Sequence, residues 1–167
     1  MFVSVDPKAL NTNVFSALDD QWALISAGNA GIGNAMTASW GGLGVLFHKA
    51  VATIYVRPQR YTYELIEQAD GFALSFLSEE YREALRLFGS KSGRDMDKAK
   101  EAGLTWVTEG TYAPYFAEAQ LVLVCRKLYY DDLKPEHFLD AAIEDFYPKK
   151  DYHRMYIGEI TQALVKP

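Results

Sequence analysis

Cysteine is nearly absent from this chain: Cys125 is the only one among 167 residues. That excludes an intrachain disulfide and leaves no cysteine-based zinc site with enough ligands. Cys125 ends the apolar run Leu121-Val122-Leu123-Val124-Cys125, so a buried, inert thiol is expected. Long apolar runs are also missing, and none approaches the ~18 residues needed to cross a bilayer. The opening Met1-Phe2-Val3-Ser4-Val5-Asp6-Pro7-Lys8 has neither the basic nor the apolar region of a signal peptide. A soluble, cytoplasmic chain is expected, with no membrane partner. Positive charge is in deficit, with a formal net charge of -5, which argues against nucleic acid as the main partner.

Several catalytic signatures are absent too. Gly28 and Gly33 have P-loop spacing, but Asn34-Ala35 follows where Lys-Ser/Thr is needed, so residues 28–33 read as a hairpin turn. No G-x-G-x-x-G stands between a strand and a helix, and no G-x-S-x-G elbow exists. His48, His137 and His153 lack metal-ligand spacing, and no metal site is expected. His48 and His137 read as surface residues; His153 either lines a pocket or is a satisfied structural histidine. Glu79-Glu80 and Asp131-Asp132 read as solvated faces or caps.

What the chain does have is apolar mass. Hydrophobic residues make up 49%, with eleven Tyr and nine Phe, enough to exclude disorder and to build one domain over residues 1–167. Strands are expected at Trp22–Ala27, Met36–Trp40, Ala50–Val56 and Phe72–Leu77, with Gly41-Gly42 breaking the second. A long strand lies within Tyr115–Tyr130, and a last one spans Tyr156–Val165. Tyr61, Leu65, Ile66 and Ala69 follow helical spacing up to Gly71. Further helices are expected at Glu79–Phe88, closed by Gly89, and at Met96–Ala102, capped by Asp95 and ended by Gly103, with a short turn at Pro135–Leu139. Strands with short helices clustered between them predict an α+β fold whose sheet closes into a barrel.

Three segments carry chemistry. Asn34-Ala35-Met36-Thr37-Ala38-Ser39-Trp40 offers hydroxyls, an indole and small residues, so backbone amides can approach a flat heterocycle. The same alternation also suits a strand with Thr37 and Ser39 facing water. Arg57-Pro58-Gln59-Arg60-Tyr61-Thr62 puts two guanidinium groups just ahead of a helix N-terminus, an arrangement that suits an anion. Gly89-Ser90-Lys91-Ser92-Gly93-Arg94 repeats the theme, and Arg57, Arg60, Lys91, Arg94 and Lys98 form a basic cluster in an acidic chain. Together the segments predict a pocket for a planar ligand carrying a phosphate.

With the closing run His153-Arg154-Met155-Tyr156-Ile157-Gly158-Glu159-Ile160, these blocks resemble the flavin reductase-like, FMN-binding split-barrel family, in particular its flavoredoxin-like branch. The resemblance spans about residue 12 to 165. It implies a six-stranded antiparallel split barrel with short peripheral helices, a homodimer, and FMN bound non-covalently. Thr37, Ala38, Ser39 and Trp40 would run along the isoalloxazine, with Asn34 and Met36 in the same cofactor-binding block. Arg57, Arg60, Tyr61 and Thr62 would approach the ribityl phosphate, and Gly89, Ser90, Lys91 and Ser92 would complete its shell. His153 and Tyr156 match positions near the open face of the flavin, the candidate catalytic residues.

The expected function is an FMN-dependent oxidoreductase that takes hydride from NADH or NADPH and passes electrons to a small-molecule or protein acceptor. The alternative is a flavoredoxin-like electron carrier that docks on protein partners without using a nicotinamide directly.

Overall fold

The computed structural model of the chain describes residues 1–29 and 32–167, with Ile32 described by its backbone alone. The first strands are β1 (Val3–Val5), β2 (Ala23–Asn29), β3 (Ile32–Ala38), β4 (Gly41–Leu46) and β5 (Lys49–Val56). Helix α1 (Val14–Ser16) precedes β2, α2 (Tyr61–Gln68) follows β5, and β6 (Gly71–Phe76), α3 (Arg82–Ser90) and α4 (Lys98–Ala102) come next. The short pair β7 (Trp106–Val107) and β8 (Tyr115–Phe116) leads to the long strands β9 (Leu121–Asp132) and β10 (Arg154–Val165). Among the described residues, no helix is long and apolar enough to cross a membrane.

Strand alternation separates two cores. Ala23, Ile25 and Ala27 of β2 face the same interior as Phe72, Leu74 and Phe76 of β6 and Leu121, Leu123 and Cys125 of β9. The residues between them, such as Leu24, Ala73, Val122 and Val124, face outward and are covered by Leu85 and Phe88 of α3, Ala99 of α4, and Tyr115 and Phe116 of β8. Cys125 is fully buried, and burial pushes its thiol far up, well away from the thiolate.

The sheet runs β3-β2-β6-β9-β10-β5-β4, with β1 added beside β10 and every pairing antiparallel. This is the antiparallel split barrel with short peripheral helices, enlarged beyond six strands by β1 and β4. Strands β3 and β4 are consecutive in the chain yet stand at opposite ends of the path. Ser39 and Trp40 bridge that split, which places them at the mouth of the barrel.

Three local expectations are corrected. Gly41-Gly42 ends the preceding strand but opens β4, which pairs with β5 from Gly41↔Ile54 to Leu46↔Lys49. A Cβ at Gly41 would stand 2.8 Å from the carbonyl oxygen of Thr53, so glycine is what allows the close pairing. The hairpin turns at Phe47 (φ 52°) and His48 (φ 57°), left-handed positions without the usual Asn or Gly signal.

Gly89 does not close α3; it lies inside the helix, which runs through Ser90 after a 3-10 turn at Glu79–Tyr81. Its end carbonyls are met by cations instead of by a glycine cap. The next helix begins at Lys98, not Met96, because Asp97 rather than Asp95 caps it by accepting from Lys100 N at 3.1 Å. Gly103 then ends it in the left-handed region. The expected 28–33 turn includes Ala30 and Gly31, which lie outside the described residues; its flanks pair as Gly28↔Gly33 and Asn29↔Ile32.

Candidate functional site

Two adjoining clefts lie where β3, the end of β5, α2 and the end of α3 meet. The first, of about 240 Å³, is lined by Met36, Thr37, Ala38, Ser39, Trp40, Tyr55, Arg57, Arg60 and His153. The second, of about 220 Å³, shares Met36 and Arg60 and adds Asn34, Tyr61, Thr62, Ser90, Lys91 and Ser92. The structure therefore gathers fourteen of the sixteen candidates, all but Gly89 and Tyr156, in the two clefts by way of Met36 and Arg60, and adds Gly93, Arg94, Gln59 and Lys98.

The first cleft suits a flat ring. Trp40 is 40% exposed and packs edge-on against Phe146 at 5.4 Å and tilted against His153 at 5.1 Å. The Thr37 hydroxyl donates to the carbonyl of Leu85 in α3, so only its lone pairs remain for a ligand. His153 is buried and shares a 2.7 Å hydrogen bond between its Nδ1 and the Tyr147 hydroxyl. Burial, aided by the nearby Arg57 charge, pushes its pKa down to about 4, so the imidazole is neutral at pH 7.

Tyr156 is not brought to either cleft. It faces the barrel interior among Ile54, Ile66 and Phe72, fully buried, and its hydroxyl donates to Glu67 Oε1 at 2.5 Å. Alternation along β10 explains this, since His153 lies just before the strand while Tyr156 points inward. Gly89 also lines neither cleft; its carbonyl accepts from Arg60 behind them.

The second cleft is built around Asn34. This buried side chain donates from Nδ2 to Thr62 Oγ1 at 2.9 Å, tying β3 to the first turn of α2. Its Oδ1 is met by Gly93, where an added Cβ would lie only 2.0 Å away. Any side chain there would push the 90–94 loop off the site. The start of α2 presents the N–H groups of Tyr61 and Thr62, which have no partner inside the helix.

The cations fall into two groups. Arg57 is offset, standing 2.9 Å from Asp151 Oδ1, and Arg94 pairs with Glu64. Gln59 holds the other Asp151 oxygen at 2.6 Å. Arg60 and Lys98 have no carboxylate partner among the described residues. Arg60 donates to the carbonyls of Gly89 at 3.0 Å and Phe88 at 3.1 Å, and Lys98 donates to Phe88 at 3.2 Å and Lys91 at 3.1 Å. Burial holds the Arg60 pKa below its usual value; burial and then the Arg60 charge bring Lys98 down to about 8. Sequence reasoning put Lys98 in the basic cluster but not in the site. Asp97 as cap makes Lys98 the first residue of α4 and turns it back toward the end of α3.

Beside the first cleft, and sharing Ser39, Trp40 and Tyr55 with it, lies an apolar groove of about 740 Å³. Phe15, Leu43, Ile143 and Phe146 contribute to its walls.

The family model described as "Flavin reductase like domain" matches residues 15–167. A protein named high molecular weight rubredoxin, from Moorella thermoacetica, is 30% identical over 113 residues, covering 67% of this chain and 42% of that protein. The chain thus spans less than half the length of the curated relative it matches. Among solved structures, an FMN-binding domain of a flavin reductases-like enzyme from Shewanella baltica OS155 shares the fold with TM-score 0.68 and 20% identity, over 99% of this chain and 77% of that one. Flavoredoxin of Desulfovibrio vulgaris (Miyazaki F) does so with TM-score 0.67 and 23% identity, over 87% and 69%. The match from residue 15 to the last residue, on a split barrel shared with these structures, makes the chain a member of the flavin reductase-like domain family.

Proposed function

We propose that the chain binds FMN across the two clefts and works as an oxidoreductase, passing hydride or electrons from NADH or NADPH to an acceptor. The observation that carries this reading is a ring-sized cleft joined through Met36 and Arg60 to a cleft where two cations, Arg60 and Lys98, are anchored on helix-end carbonyls with no carboxylate partner among the described residues. A phosphate ester on a ribityl chain fits that pair, because a buried cation is costly until an anion meets it. When bound, FMN supplies a hydride acceptor at N5 and releases one or two electrons.

The chain's own residues orient and shield. Ala38, Ser39 and Trp40 form the wall beside the ring, and Thr62, the α2 N–H groups and Arg60 hold the phosphate. His153, neutral and fixed by Tyr147, adds a polar edge without charge. Trp40 and Phe146 limit water at the mouth. Tyr156, committed to Glu67 in the core, takes no part in this reading. The reading includes a homodimer, which sedimentation velocity of the loaded protein measures.

The test is the visible spectrum of protein mixed with FMN and freed of excess, followed anaerobically on adding NADH or NADPH. Retained flavin that bleaches within seconds supports the reductase. Retained flavin that bleaches only with a reduced protein donor supports the electron carrier. The carrier reading is favoured by one specific observation: the apolar groove beside Trp40 is rimmed by Phe15 at 87% and Phe146 at 55% exposure, a surface suited to docking.

A further inference from the structure

Two arginines of the Arg57-Pro58-Gln59-Arg60 motif face the site, but only one brings unspent charge. Arg57 is paired with Asp151 and donates to the Phe146 carbonyl at 2.8 Å. Lys98, which belongs to none of the three motif segments, is 3% exposed and has no carboxylate partner among the described residues. Its ammonium has three N–H groups, and two are used on the carbonyls of Phe88 and Lys91. The Phe88 carbonyl also takes Arg60 Nη2, so both cations are anchored on one oxygen at the end of α3. Helix carbonyls offset part of their charge, and they fix both groups at the wall of the second cleft.

We propose that Lys98 together with Arg60, and not Arg57, is the cation pair that holds the terminal phosphate and sets the preference for FMN over riboflavin. This rests on the FMN reading above. A phosphate dianion supplies the missing counter-charge and accepts the third Lys98 N–H. The lowered Lys98 pKa agrees with a cation that lacks its partner until the ligand arrives. Its neighbourhood is mostly basic: Arg60 and Tyr61 face it from the start of α2, and Lys91 and Arg94 from the loop. Asp95 and Asp97 line a neighbouring cleft that Lys98 also borders, and Asp97 is occupied in capping α4.

The experiment measures dissociation constants for FMN and riboflavin with the unmodified protein, Lys98→Met, Lys98→Arg and Arg57→Ala. Lys98→Met is expected to weaken FMN by about 10- to 100-fold, the range of a lost charge-assisted bond, with riboflavin unchanged within about threefold. Lys98→Arg keeps most of the preference, and Arg57→Ala shifts the FMN-to-riboflavin ratio by less than about threefold. Equal losses of both flavins in Lys98→Met, or a preference that collapses only in Arg57→Ala, overturn the assignment while leaving flavin binding in place. Unmodified protein that binds neither flavin overturns the FMN reading itself. If Lys98→Met does not fold, the unmodified protein decides by its pH profile. FMN affinity falling above about pH 8 with riboflavin level supports Lys98, and parallel profiles overturn it.

Discussion

The Tyr147 hydroxyl and His153 Nδ1 lie 2.7 Å apart inside the site, both residues buried. Burial, and then the nearby Arg57 charge, keep this imidazole neutral across the physiological range. The folded protein takes up this proton only near pH 4, whereas an unfolded chain takes it up near the ordinary value of 6.5. Between those values the unfolded state binds more protons, so His153 makes stability fall as pH falls, by at most about 1.4 kcal/mol per pH unit. Chemical denaturation from about pH 7 down to about pH 5 checks this against His153→Gln, which flattens that part of the slope. An imidazole NMR titration with a midpoint near 6.5 would contradict the placement.

Trp40 and Lys98 separate the two parts of the site experimentally. Trp40→Ala removes a ring-side wall and leaves the phosphate cleft untouched. FMN and riboflavin should weaken together, by about 2- to 12-fold, as expected for one aromatic contact. Flavin fluorescence titration reads both constants; a loss confined to FMN would place Trp40 at the wrong end.

Gly93→Ala tests the packing that shapes the second cleft. A Cβ there meets Asn34 Oδ1 at 2.0 Å and Tyr61 Cδ1 at 3.1 Å, so the loop has to move. Overpacking of this kind costs about 1–3 kcal/mol of stability. Urea denaturation should show that loss, and FMN should weaken more than riboflavin because Ser90, Lys91 and Ser92 shift with the loop.

Cys125 should stay silent to thiol reagents in the folded protein. It is fully buried in the interior core, and burial pushes its thiol far up. Labelling is expected only at the rate of unfolding, and prompt reaction in native buffer would contradict this.

What the sequence made legible was local. Pro58 bending the chain just before Tyr61, the Gly89–Arg94 loop and the alternation of Phe72, Leu74 and Phe76 each announce themselves within a few residues. Strand β4 did not, because Gly41, Gly42 and Gly44 weaken the strand pattern and its hairpin turns on Phe47 and His48 without the common turn residues. The neutralisation of Arg57 was invisible for a different reason: Asp151 reaches it from the far end of the chain, and no pattern near Arg57 signals that partner. The same holds for Tyr156, whose neighbourhood in sequence resembles a site block while strand alternation turns it into the core beside Glu67. Lys98 needed both the Asp97 cap and the end of α3 before its direction was defined.

The central claim is that the two clefts form one flavin site. Its most direct test is gel filtration of the protein after mixing with excess FMN, with the visible spectrum of the protein peak recorded. The account predicts flavin eluting with the protein in equimolar amount, displaced poorly by riboflavin. A protein peak without flavin absorbance would contradict it.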